Sequence, residues 1–137
     1  MKLTTKYTYP AEGTANKRVY TKEALRKAFD DPDFKERCES YSIPVLTEGA
    51  RAVGWATANV DENFEVTVEA EIYDKMLADI LTKVYETTGC PAAILGGRGE
   101  IEYDPDTDMN IVTKFIPENV LLCSRPALKH ETTIEEV

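Results

Sequence analysis

Residues 92–103 read Ala-Ala-Ile-Leu-Gly-Gly-Arg-Gly-Glu-Ile-Glu-Tyr, and the rest of the chain is organised around this stretch. Its small apolar residues predict a buried central strand. The glycine cluster that follows allows a close backbone approach or a β-bulge, both of which larger residues resist. Ala93, Ile94 and Leu95 carry no hydroxyl, thiol or base. A catalytic site on this part of the strand therefore lacks a nucleophile of its own.

The composition is that of an ordinary soluble globular protein, and the length of 137 residues predicts one domain. No stretch is apolar enough to cross a membrane and none is typical of a signal peptide, so we expect no membrane partner and a cytoplasmic location. The formal net charge of −9 disfavours binding to a nucleic-acid backbone. Cys38, Cys90 and Cys123 are widely spaced and odd in number, which predicts free thiols.

The alternation of apolar and polar residues predicts a mainly β protein. Pro117 is expected to end one strand and separate it from a last apolar strand. The strongest hairpin signal lies around residues 61–63, between two strongly alternating segments. The predicted strands cover residues 3–10, 41–46, 53–60, 64–72, 92–103, 110–116 and 120–123.

Apolar residues at helical spacing predict two helices, near residues 21–31 and 74–88. Thr21 and Asp74 are suited to cap their N-termini, and Gly89 is suited to cap the second C-terminus. A further helical turn is expected over residues 33–39. These elements define one α+β domain over residues 1–128. The remaining residues, 129–137, form a polar and acidic tail that is expected to be disordered or to dock on a partner.

The chain offers little for nucleophilic catalysis. His130 is its one histidine and lies in the tail, so a Ser/His or Cys/His site requires the tail to fold back over the core. Cys90, between Gly89 and Pro91, is the best-placed thiol. It follows a helix C-terminus, whose partial negative charge opposes thiolate formation. We therefore predict no catalytic residues.

The acidic residues do not indicate a metal site. Asp104, Asp106 and Asp108 have the spacing that begins a calcium-binding EF-hand loop, but Pro105 interrupts it and the glycine required at the sixth position is missing. The glycine cluster lacks the Lys-Ser/Thr pair of a phosphate-binding loop. We predict no metal and no cofactor. Three more acids alternate with apolar residues on one strand and indicate a solvated sheet face: Glu65, Glu69 and Glu71.

Several motifs, in order along the chain, resemble those of the prohead maturation proteases of tailed phages. Asn16, Arg18 and Tyr20 form an Asn-x-Arg-x-Tyr motif ahead of a predicted helix. An Ile-Pro-Val-Leu strand follows at residues 43–46. Then come a glycine-containing strand, the central strand with its glycines, and a closing strand that ends in Pro-Ala. The further residues that carry these motifs, which we expect to be structural, are Gly54, Gly96, Gly97 and Pro126.

This resemblance covers most of residues 3–127 and implies the fold shared with herpesvirus assembly proteases. That fold is a closed or nearly closed antiparallel β-barrel with flanking helices. The resemblance also implies a protein of the virion, present in the host cytoplasm during assembly. Its implied partners are the major capsid protein or other virion proteins, and it is expected to form a homo-oligomer on the capsid.

The chain departs from that family at two positions. In the family, a histidine follows the Ile-Pro-Val-Leu-like strand and a serine precedes the glycines of the central strand. Here residues 47–50 read Thr-Glu-Gly-Ala, and the second position falls within Ala93-Ile94-Leu95. Because nucleophile and base act as a unit, the loss of either removes most of the chemistry. The resemblance therefore implies the barrel without proteolysis.

Three functional hypotheses follow. The first is a non-enzymatic auxiliary or decoration protein that binds and stabilises a phage capsid. The second is a divergent maturation protease that uses Cys90 or Ser124 with His130. The third is an internal assembly-core or scaffold protein that is lost from the mature particle. The small size, the acidic surface and the polar terminal tails suit the first hypothesis.

Overall fold

The structure is a computed structural model that describes residues 1–135. Within this range, eight strands and three helices follow one another, and none of the helices is long and apolar enough to span a membrane. The elements are β1 (Lys2–Thr8), β2 (Arg18–Tyr20), α1 (Lys22–Asp30), α2 (Pro32–Glu39), β3 (Ile43–Leu46), β4 (Ala52–Val60), β5 (Glu65–Ile72), α3 (Lys75–Thr88), β6 (Ala92–Asp104), β7 (Met109–Cys123) and β8 (His130–Glu135).

The strands form one curled, mixed sheet. Its order is β2-β7-β3-β4-β5-β1-β8, and β6 pairs with β7. The predicted antiparallel, closed barrel is wrong in two respects, because β2 and β3 run parallel to β7 and the sheet is a half-barrel that does not close. Strand β6 occupies one edge of β7 along its whole length. Consequently β2 and β3 both pair with the other edge of β7, β2 near its start and β3 near its end. The helices α1 and α2 connect these two strands, which run in the same direction.

Side chains of β1 bridge the open side of the half-barrel. The Thr5 hydroxyl accepts a hydrogen bond from the Ala93 backbone N–H at 2.9 Å, and the Tyr7 hydroxyl accepts one from the Leu95 N–H at 3.0 Å. Thr5 also lies 3.0 Å, oxygen to oxygen, from the Thr132 hydroxyl of β8. These contacts are buried, so the edge of β6 is satisfied by side chains where no neighbouring strand is present.

The core lies inside the curl of the sheet. The predicted alternation of β5 is confirmed, since Val66, Val68 and Ala70 are fully buried, whereas the residues that alternate with them are at least partly exposed. Helix α1 covers one face with Leu25 and Phe29, which pack into the same core. The largest side chains with essentially no exposure are Leu3, Ile43, Val45, Val66, Val68 and Val120.

The helix caps predicted from the sequence are confirmed. The side chain of Thr21 accepts a hydrogen bond from the Ala24 N–H, and that of Asp74 accepts one from the Leu77 N–H. Gly89 ends α3 in the left-handed conformation, with φ of 73°. The short turn expected at residues 33–39 is a full helix that begins at Pro32, because Asp31 caps it.

The glycine cluster of β6 allows a close approach to β7. The pairing register shifts between Gly96 and Gly97, which confirms the expected bulge. A Cβ on Gly97 would overlap the Ile116 carbonyl oxygen. Pro117 lies opposite Gly97 at this irregularity, where no ladder hydrogen bond is required of it. The predicted break at Pro117 is therefore wrong, and residues 109–123 form one strand.

The expected disordered tail is also wrong for the part that the structure describes. Residues 130–135 form β8, which pairs antiparallel with β1 from Tyr7↔His130 to Lys2↔Glu135. Thr132 is buried and Ile134 packs against the core. The polar composition concealed a short β-branched run that completes an otherwise unpaired edge of β1. Residues 136–137 of the predicted tail lie outside the described residues.

We predict that Thr5→Val destabilises the fold by about 1–3 kcal/mol, because it leaves the buried Ala93 N–H without an acceptor at nearly constant side-chain volume. Thr8→Val, at an exposed position of the same strand, is the matched control and should change the free energy of unfolding by less than about 0.5 kcal/mol. Urea unfolding of both variants is the measurement. Equal changes in the free energy of unfolding for the two variants would show that the hydrogen bond from β6 to Thr5 does not contribute to stability.

We also predict that Gly97→Ala destabilises the fold by about 1–3 kcal/mol, since the added methyl meets the backbone of β7, which has little room to shift. Gly49→Ala provides the control, because the nearest heavy atom to its new Cβ is 3.8 Å away. Thermal unfolding followed by circular dichroism compares the two. If Gly97→Ala unfolds at the same midpoint temperature as the wild type, the close approach of Gly97 to the β7 backbone is contradicted.

Candidate functional site

The two positions that the resemblance assigns to catalysis lie near one another across β7. Leu46, the last residue of β3, pairs with Leu121 on one edge of β7. Ile94 of β6 pairs with the same Leu121 on the other edge. The loop that begins at Thr47 and the strand around Ile94 are therefore at the same level of the sheet. The tertiary structure brings together the two segments at which the departures occur.

The strand segment carries no nucleophilic side chain, and the Thr47 hydroxyl of the loop segment is engaged in a turn. Ala93 is fully buried, and both its N–H and that of Leu95 are bonded to hydroxyls of β1. On the other side, the Thr47 hydroxyl accepts a hydrogen bond from the Arg51 N–H and stabilises the turn between β3 and β4. Burial raises the pKa of the Tyr7 hydroxyl far above its usual value, so this hydroxyl remains protonated and acts as a structural acceptor.

A cluster of polar side chains lies at the same end of the sheet, where β3 and β7 end and β6 and β8 begin. The Cys90 sulfur is 3.7 Å from Nε2 of His130. The tail folds back as β8, as a catalytic role of His130 would require. Burial raises the pKa of the nearby Cys123 thiol, and the proximity of Glu48 and Cys90 raises it further. All three cysteines, Cys38 included, are free thiols and partly buried.

Ser124 is bound to a carboxylate at this end of the sheet. Its hydroxyl donates to Oε1 of Glu48 at 2.6 Å, and its backbone N–H donates to the same oxygen at 2.9 Å. These two bonds lower the pKa of the Glu48 carboxyl. The contact joins the loop after β3 to the end of β7. The role of Glu48 could not be predicted from the sequence, since an exposed glutamate in a loop carries no distinguishing local signal.

The Cys90–His130 pair lacks the support of a hydrolytic site. The Cys90 N–H donates to the Thr88 hydroxyl at 3.1 Å, and Pro91, the next residue, has no N–H. The backbone donors nearest the sulfur therefore do not form an oxyanion hole in this conformation. Within residues 1–135, no side-chain hydrogen bond orients the second nitrogen of the imidazole.

Most of the expected motif residues line one cleft. This cleft, of about 420 Å³, lies beside the glycine cluster and includes the hydroxyl-bearing rings of Tyr9 and Tyr20 in its wall. The Tyr20 ring packs between Tyr9, in a tilted arrangement, and Phe115, in an edge-to-face arrangement. Gly54 lies elsewhere, where a Cβ would overlap the Glu71 carbonyl oxygen of β5. The motif residues in the cleft wall are Asn16, Arg18, Tyr20, Gly96, Gly97 and Pro126.

The aspartates at the tip of the β6–β7 hairpin are engaged within the turn. Asp104 accepts hydrogen bonds from the Asp106 N–H and the Thr107 hydroxyl. Asp108 accepts from Tyr103 and forms an ion pair with Lys17 at 2.6 Å, and both contacts lower its pKa. Over the described part of the chain, no group of three or more His, Cys, Asp or Glu residues is placed to hold a metal ion.

Comparison with solved structures identifies the architecture. The capsid assembly protease of bacteriophage T4, gp21, superposes with a TM-score of 0.58 and 19% sequence identity, over 83% of this chain and 76% of that chain. The chain has the fold of a capsid assembly protease. The protease of Kaposi's sarcoma-associated herpesvirus matches with a TM-score of 0.45 and 10% identity, over 99% of this chain and 77% of the other. No protein-family profile and no curated protein sequence matches this chain.

We predict that the pKa of Glu48 lies below its ordinary value of 4.5 and rises toward that value in Ser124→Ala, which removes one of the two donors. Because the pKa is lower in the folded state, the contact stabilises the protein above the ordinary pKa and is lost as the pH falls through the lowered value. A carboxyl NMR titration measures both pKa values. An unchanged pKa in Ser124→Ala would contradict the assigned bond.

Proposed function

We propose that this chain is a non-enzymatic auxiliary protein of a phage capsid, built on the capsid assembly protease fold. It binds the major capsid protein or another virion protein and stabilises the shell. It acts in the virion and is present in the host cytoplasm during assembly. It requires no cofactor, and nucleic acid and membranes are not its partners.

The arrangement around Leu121 is the observation that carries this proposal. The segments on its two sides are those where the resemblance places base and nucleophile, and their residues support packing and turn formation. On the β6 side, Ala93 and Leu95 are buried and tied to β1. A strand bonded to β1 in this way favours a non-enzymatic role, because acyl transfer requires an exposed nucleophile beside a base.

The surface charge favours a docking role. The net charge of −9 is large for 137 residues. On β5, Glu65, Glu69 and Glu71 alternate with buried residues. The outer sheet face therefore presents these three carboxylates, with Thr67 between the first and the second. Such a face is suited to a basic patch on a partner, and complementary charges increase the rate of association. Repetition on a symmetric shell would raise the avidity of an individually weak contact.

One observation favours a second candidate, a divergent cysteine protease. The 3.7 Å contact between Cys90 and His130 is the geometry of a nucleophile beside a base. Against this candidate stand the engaged Cys90 N–H and the proline that follows it. Ser124, the other nucleophile considered, donates its hydroxyl to Glu48.

Mass spectrometry of purified mature particles tests these alternatives. We expect the intact chain in near-stoichiometric amounts relative to the capsid protein, and capsid-protein termini that are unchanged by Cys90→Ala or His130→Ala. The substitutions should change termini only if the pair is catalytic, because removal of either member abolishes a nucleophile–base unit.

Two outcomes would contradict the proposal. Capsid protein that is cleaved with wild-type chain and left uncleaved with both variants would establish the protease. Absence of the chain from mature particles, with capsid processing unaffected, would identify an assembly-core protein. Circular dichroism of the purified variants verifies that the substitutions leave the fold intact, since both side chains are only partly buried.

A further inference from the structure

A hollow of about 700 Å³ lies between helices α1 and α2 on one side and the end of the β4–β5 hairpin on the other. This volume is in the range that holds a small ligand or a few side chains of a partner. The hollow shares no lining residue with the cleft beside the glycine cluster. It is therefore a second, separate concave site on the molecule.

Two contacts join the walls of this hollow. The guanidinium of Arg26 on α1 lies over the ring of Phe64 on the hairpin, 5.8 Å from its centroid. The Thr57 hydroxyl of β4 donates a hydrogen bond to the backbone carbonyl of Cys38 on α2, at 2.6 Å. Among the hydrogen bonds and ion pairs of residues 1–135, no other joins these helices to residues 57–64. The space between the two contacts is left to an occupant.

The floor of the hollow is apolar. Phe29 of α1 and Phe34 of α2 are nearly buried, and their ring centroids are 5.8 Å apart. Three further side chains that line the hollow are only partly covered where they pack against the core: Cys38, Val60 and Phe64. An apolar side chain of a partner would remove this surface from water.

The rim of the hollow is acidic. Among the residues that line it, four are acidic and two are basic. Lys35 forms an ion pair with Asp30 at 3.8 Å, and Arg26 is held at the Phe64 ring. The three other acids belong to no ion pair of the described residues: Glu39, Asp61 and Glu62. Carboxylates without a basic partner therefore flank the apolar floor on both the helix side and the hairpin side.

Two of these carboxylates have no other partner in the part of the chain that the structure describes. Asp61 uses its Oδ1 to accept hydrogen bonds from the Asn63 and Glu65 N–H groups, and so holds the turn of the hairpin. The side chains of Glu39 and Glu62 are exposed and form no hydrogen bond or ion pair within residues 1–135. They are available to a positively charged group.

An apolar floor between carboxylates is suited to a basic protein segment. Lysine and arginine lay their methylene stems on apolar surface and place the charged head against a carboxylate. A second copy of this chain is a poor source of such a segment, because its net charge is −9. A nucleic acid is repelled by the same carboxylates. The charge of the lining residues thus favours a basic segment of a different protein.

We propose that this hollow is a docking site for a short segment of a protein partner, in which a lysine or arginine lies beside a large apolar residue. The apolar side chain packs on the floor, and the basic head bonds to Glu39 or Glu62. The inference rests on the proposed function for the identity of the partner, a capsid or other virion protein. The acidic face of β5 is a separate surface, since none of its glutamates lines the hollow.

NMR titration of the labelled protein with the peptide acetyl-Lys-Leu-Arg-Phe-Lys-amide, at moderate salt, tests the site. We expect the largest amide shifts at the lining residues, and little change with acetyl-Glu-Leu-Glu-Phe-Glu-amide. Glu39→Lys and Glu62→Lys should each raise the dissociation constant of the basic peptide by about threefold or more, because each replaces attraction by repulsion. Glu65→Lys is the matched control, because it is exposed and close in sequence but outside the lining. It should leave the dissociation constant nearly unchanged.

Cys38 provides a second readout of occupancy. Cys38 lines the hollow and Cys90 does not, while both thiols are free and partly buried. With the basic peptide at three times its dissociation constant, alkylation of Cys38 by iodoacetamide should slow by up to about fourfold, since only the unoccupied protein reacts. Alkylation of Cys90 should be unchanged. Mass spectrometry of the digested protein measures both rates.

Co-sedimentation with purified capsid shells relates the hollow to the proposed function. We expect the wild type to sediment with the shells and the double variant Glu39→Lys/Glu62→Lys to lose most of this binding. Glu102→Lys, at an exposed position of the β6–β7 hairpin, is the control and should bind like the wild type. Circular dichroism of each variant verifies folding, which changes at exposed positions should not affect.

Several outcomes would overturn the docking site. They are equal binding of the basic and acidic peptides, equal effects of Glu62→Lys and Glu65→Lys, and self-association of the wild type that the double variant abolishes. Shell binding that survives the double variant would also overturn it and would leave the capsid role standing. A wild type that binds the basic peptide in the hollow but does not sediment with shells would contradict the capsid role and support the basic-segment site.

Discussion

The hydrogen bonds from the β6 backbone to the hydroxyls of Thr5 and Tyr7 hold the structure together. Without them, the half-barrel has an open side and β6 has an unsatisfied, buried edge. The partners are 88 residues apart in sequence, so these bonds form only when the two ends of the sheet approach each other. They place β6 over the core and bring β8 and the end of β7 together. The Cys90–His130 contact and the cleft beside the glycines both depend on that placement.

The side-chain bridge also bears on function. A strand that presents a catalytic side chain requires an exposed position with room for a substrate. In this chain, Ala93 and Leu95 in the first half of β6 are buried, and their backbone N–H groups are bonded to two β1 hydroxyls. The fold is therefore preserved by interactions that act on the backbone of β6 and do not require a nucleophile there. The proposed auxiliary role is compatible with this architecture, because a fold does not by itself fix a function.

Several local features could be predicted from the sequence because neighbouring residues determine them. Thr21, Asp74 and Gly89 cap helices through contacts within one turn. The alternation of apolar and polar residues along β5 identifies which face of the strand is buried. Errors occurred where distant segments decide the outcome. Pro117 remains within β7 because the irregularity opposite Gly97 accommodates it. Residues 130–135 become a strand because β1 offers an edge. The parallel pairings follow from how the α1–α2 crossover returns to β7, which local patterns do not encode.

The sequence by itself determined which elements form, which faces are apolar and that no nucleophile lies on the first half of β6, since these depend on residue type and period. Tertiary structure alone decided the open, mixed sheet and the 3.7 Å approach of Cys90 to His130. It also decided that Met76, Ile80 and Val84 of α3 are left exposed. The physical reason is that these features are set by contacts between residues far apart in the chain. Such contacts are selected by the packing of the whole core, and short-range propensity does not specify them.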